Sequence, residues 1–114
     1  MVEKMRLIFQ EIEKKRGPLT LFVLMREDDF MHNWSLFLCG DHLSNTSEDF
    51  RYVVDTINHH LTPEEANLIA RTSILPKDDH LVELFSRYRP DQKIQDTHIN
   101  GFMVQEAYIL ASRG

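Results

Sequence analysis

Apolar residues recur at helical spacing through the opening segment, at Val2, Met5, Ile8, Phe9 and Ile12. The segment closes on "KKRGP": cations suited to a helix C-terminus, Gly17 at the C′ position, then Pro18. A first helix is the expectation. "LTLFVLMR" follows, alternating so that Leu19, Leu21, Val23 and Met25 share one face and Thr20, Phe22 and Leu24 the other, which predicts a strand covered on both faces. "NWSLFLC", residues 33–39, has the same character, and the connector "EDDFMH" predicts an antiparallel hairpin.

After Gly40 a polar loop ends in capping residues, and Phe50, Val53, Val54, Ile57 and Leu61 mark an amphipathic helix. Thr62-Pro63-Glu64-Glu65 is a second helix start: Thr62 as N-cap, Pro63 at N1, and Glu65 reaching back from N3. "RTSIL" reads as a buried strand ended by Pro76, and Leu81, Leu84, Phe85 and Tyr88 define a last helix that stops before Pro90. "KIQDTHI" and "FMVQEAYIL" flank Asn100-Gly101, a strong hairpin signal.

The order is therefore α-β-β-α-α-β-α-β-β, an α+β domain on a mixed sheet of about five strands. The stretch from Arg71 to Ile99 has the length of a crossover, which predicts two parallel strands if they share the sheet. Between Phe102 and Leu110 only Glu106 is charged, and nothing in the run protects a free edge. The final strand is expected to lie inside the sheet, with Val104 and Tyr108 on a buried face, in preference to pairing with its copy in a dimer.

Composition narrows the functional classes. The 114 residues suit one domain with a self-sufficient core. The net charge of −5 is evenly spread: residues 1–57 carry 7 basic against 10 acidic side chains, and residues 58–114 carry 6 against 8. With no basic lobe, nucleic acid is not an expected partner. The single cysteine, Cys39, forms no internal disulfide and sits in an apolar strand, which points to the cytoplasm and to an inert core thiol. The N-terminal segment reads as neither a signal peptide nor a membrane span, so no membrane partner is expected.

The candidate chemistry lies in Asp and His clusters. Asp78, Asp79 and His80 follow Pro76, and the theme recurs at Asp28-Asp29 with His32, at Asp41-His42, and at His59-His60. Adjacent His59 and His60 point about 100° apart on a helix and do not converge on one metal. The Asp28 and Asp41 clusters lie at opposite ends of a strand, roughly 20 Å apart, and cannot share a site. Asp78 or Asp79 is explained as the N-cap of the last helix, leaving His80 as a polar residue on its first turn. Trp34, Phe37 and Phe22 read as core, since no basic residues interleave with them.

The function expected is that of a protein-binding regulatory or adaptor module, non-enzymatic and without cofactor, with a protein partner or a copy of itself, and monomeric sooner than dimeric. The alternative is a small metal-dependent hydrolase. It would draw catalytic groups from Asp78, Asp79, His80, Asp41 and His42, and metal ligands from Asp78 and His80.

Overall fold

The computed structural model describes residues 2–27, 34–89, 92–99 and 102–112. Its elements are α1 (Val2–Arg16), β1 (Leu19–Glu27), β2 (Trp34–Gly40), α2 (Ser47–His60), α3 (Pro63–Asn67), β3 (Ile69–Ile74), α4 (His80–Phe85), β4 (Gln92–Ile99) and β5 (Phe102–Ser112). The α+β order matches the pattern of the sequence. The five strands form one mixed sheet, β3-β2-β1-β5-β4, antiparallel throughout except for the parallel pair β2 and β3.

The sheet separates two cores. On one face α1 and α2 pack Met5, Ile8, Ile12, Val53 and Ile57 against Phe22, Leu24, Leu36 and Leu38. On the other, α4 sets Val82 and Phe85 against Leu21, Val23, Phe37, Cys39 and Ile109. The expectation that β1 is covered on both faces holds. One assignment within it does not: the pairing with β2 shifts register between Leu19 and Leu21, and that irregularity turns Leu19 into the α1/α2 core, away from Leu21 and Val23.

The α1–β1 turn is built from its own sequence. Gly17 adopts φ 86°, its N–H donates to the Glu13 carbonyl at 2.9 Å, and the Glu13 carboxylate accepts from the Leu19 N–H at 2.8 Å. A β-carbon at Gly17 would lie 3.0 Å from His42 Cδ2, so the glycine also admits the imidazole.

Three expectations need correction. Phe50 was expected on the buried stripe of α2, yet it is 40% exposed, because the helix turns Val53, Thr56 and Ile57 inward instead. Thr56 is accommodated there by donating its hydroxyl to the Tyr52 carbonyl at 2.8 Å. β3 was expected to be buried; it is an edge strand with only Ile74 buried. Finally, β3 and β4 share the sheet but are not parallel: they lie at opposite edges and run in opposite directions, the connection passing through α4 beneath the sheet. The parallel crossover is β2 to β3, by way of α2 and α3.

β5 lies between β1 and β4, so the final strand is interior as expected. Tyr108 is half-buried against Trp34, while the Val104 side chain and the Asn100-Gly101 turn lie outside the described residues.

The capping expectations hold in detail. Thr62 accepts from the Glu65 N–H at 3.2 Å and the Glu65 carboxylate accepts from the Thr62 N–H at 3.0 Å. Thr62→Ala is expected to lower unfolding free energy by about 1 kcal/mol in a urea titration. Glu65 also receives Lys4 at 2.6 Å, tying α3 to α1, and these donors, Lys4 first, hold its pKa at about 2 against an ordinary 4.5. A carboxyl depressed in the folded state contributes stability that is present above its ordinary value and lost as pH falls through about 2. Wild type should therefore lose stability between those values more steeply than Glu65→Gln, measured as melting temperature against pH.

Candidate functional site

Two features meet around β3. The first is a crevice at the carboxyl ends of β2 and β3. The loop after β2 leaves toward α2 on one face of the sheet, and the loop after β3 leaves toward α4 on the other. Where neighbouring parallel strands send their connections to opposite faces, the loops part and leave an opening in which open α/β sheets bind ligands. Here the opening is about 490 Å³, with Asp41, Ser44 and Asn45 on one side and Leu75, Pro76 and Lys77 on the other. Asp41 pairs with Lys77 at 2.5 Å across the mouth. Each holds the other charged: Lys77 lowers the Asp41 carboxyl below its ordinary pKa, and Asp41 raises that of the Lys77 ammonium.

This end of the sheet brings together the segments that carry Asp41-His42 and Asp78-Asp79-His80, but their side chains take separate tasks. Asp79 caps α4 by accepting from the Leu81 N–H at 2.9 Å, as the capping argument required. Asp78 is exposed, and His80 opens the first turn of α4, also exposed. His42 lies against Gly17, next to the α1 terminus. Among the described residues no group of three or more His, Cys, Asp or Glu side chains is placed to hold a metal ion. His59 is exposed and His60 contacts Glu11 of α1 at 3.2 Å. Asp28, Asp29 and His32 lie outside the described residues. Cys39 is buried in the sheet, as expected of a core thiol.

The second feature is the free side of β3. The Leu75 N–H donates to the Leu38 carbonyl at 2.7 Å, and alternation along a parallel ladder then turns the amide of Ser73 toward β2 and that of Thr72 away from the sheet; at Ala70 the alternation is broken, because the register passes from Ile69 opposite Trp34 to Arg71 opposite Ser35. Ala70 and Arg71 are exposed and Thr72 is half-buried, while at Ile74 the edge is covered. Leu68, 44% exposed, stands immediately before the strand. No proline or lysine lies on this edge, though a register irregularity at Ala70 and the exposed Arg71 do; the opposite edge, β4, presents the exposed Lys93.

Sequence reasoning missed both features, since neither Lys77 nor the edge position of β3 carries a local signal. It also missed a stack that crosses the sheet: Arg26 over Trp34, its guanidinium on Glu106 at 2.7 Å, and Lys93 over Tyr108. Trp34 is thus half-buried, packed against the α1/α2 core with Arg26 over its ring, while Phe22 and Phe37 are core as expected.

No protein-family model, no curated protein and no solved structure matches this chain. No helix among the described residues is long and apolar enough to cross a membrane.

Proposed function

We propose that the chain is a non-catalytic, cytoplasmic binding module with a regulatory or adaptor role, and that it receives an extended segment of a protein partner as an added strand on β3. The observation that carries this reading is that β3 is an edge strand among the described residues, with the outward Thr72 amide near an exposed leucine, Leu68. In strand addition, main-chain hydrogen bonds supply affinity and neighbouring side-chain positions supply selectivity. The outward amide of Thr72 offers the former, and the exposed Leu68 offers the latter.

Thr72→Pro tests it. Proline removes an outward N–H that the sheet does not use, and edge strands tolerate it for that reason. A partner retained from source-cell lysate by wild type should be absent from the Thr72→Pro eluate, with the variant still folded by circular dichroism. Equal recovery by both proteins would move the docking surface elsewhere.

The hydrolase alternative keeps only the nearness of two loops in its favour. Asp79 is occupied as a cap, and His42 packs toward α1, away from His80. A thermal-shift screen with Zn²⁺, Mn²⁺ and Ni²⁺ decides that question: a stabilisation abolished by His80→Ala would revive the hydrolase.

A further inference from the structure

The crevice between the loops after β2 and β3 has its own chemistry, separate from the β3 edge. Its walls combine a carboxylate and an ammonium in contact, two neutral polar side chains in Ser44 and Asn45, and an apolar surface from Leu75 and Pro76. The lining is net neutral, with its charges side by side. We propose that the crevice binds a small zwitterion of the α-amino-acid type, its ammonium on Asp41, its carboxylate on Lys77 and an apolar side chain against Leu75 and Pro76.

Charge complementarity selects this class over its neighbours. An anion such as phosphate would pair with Lys77 while facing the Asp41 carboxylate. A simple cation would meet the reverse penalty at Lys77. A ligand carrying both charges on one carbon satisfies both partners at once and leaves the lining neutral. The protein pair can yield to it, because the two side chains are 55% and 64% exposed and a solvated ion pair of that kind holds its members only weakly. A volume of about 490 Å³ accommodates a ligand of this size and falls within the range usual for small-molecule sites.

The test is a titration of the ¹⁵N-labelled full chain followed by amide chemical shifts, with L-leucine, N-acetyl-leucine and leucine amide as probes. L-leucine at millimolar concentration should shift the amides of Asp41, Ser44, Asn45 and Lys77 in a saturable way. N-acetyl-leucine lacks the ammonium and leucine amide lacks the carboxylate, so each should bind roughly tenfold or more weakly. Asp41→Asn should weaken L-leucine by a similar factor and remove the penalty against N-acetyl-leucine; Lys77→Met should do the same for leucine amide. Both positions are exposed, and an otherwise unchanged spectrum confirms the fold of each variant. Absence of saturable shifts in wild type, equal binding of all three probes, or L-leucine binding untouched by both substitutions would each overturn the proposal.

Discussion

Replacing Phe85 by alanine is expected to lower the unfolding free energy by about 3–5 kcal/mol, the range for a large aromatic removed from a core that collapses only partly. Phe85 is fully buried, and it is one of only two buried residues in α4, the other being Val82. A helix of six residues has no stability of its own in water, so α4 exists because this ring is seated between Leu21, Val23 and Ile109. Urea unfolding should show a markedly lower midpoint. Phe50→Ala is the matching control: the same atoms are lost from a side chain that is 40% exposed, and the expected change is within about 0.5 kcal/mol. Similar losses at the two positions would mean that α4 does not anchor the second core.

Proline substitutions along β3 should separate the two sides of that strand. Ser73→Pro removes an amide that the ladder directs to β2, and leaving a buried carbonyl without its donor costs about 1–3 kcal/mol before any strain is added. Thr72→Pro removes an outward amide and should cost well under about 1 kcal/mol. Thermal unfolding of the pair ranks them directly. The reverse ranking would require the ladder to be offset by one residue, which would place different amides on the open edge.

Much of the fold was legible because it is written locally. The Thr62 capping box, the Gly17 terminus, the Asp79 cap and the interior position of β5 all rest on short-range chemistry or on the composition of one run. What was not legible depends on tertiary choice. "RTSIL" reads as a buried strand from its Ile74 and Leu75, yet β3 lies at an edge and only Ile74 within it is buried, a position that tertiary pairing with β2 alone decides. The turn of α2 that exposes Phe50 in favour of Thr56 depends on a hydroxyl finding the Tyr52 carbonyl, a compensation that hydrophobic spacing does not encode. Leu19 changes face through a one-residue irregularity that periodicity cannot anticipate. The candidate site was hidden for the same reason. Asp41 and Lys77 are brought together only because β2 and β3 are parallel neighbours, and the sequence pattern had assigned the parallel relation to β3 and β4.

Site-specific photo-crosslinking tests the central claim, that partners dock on β3, most directly. A benzophenone side chain at Ala70, exposed on the open edge, should give one dominant covalent adduct with a protein in source-cell extract, and that adduct should disappear when Thr72→Pro is added. The same side chain at Lys93, on the opposite edge strand, should give no such adduct. An adduct from Lys93 with none from Ala70, or an Ala70 adduct that survives Thr72→Pro unchanged, would contradict the assignment of β3 as the docking strand.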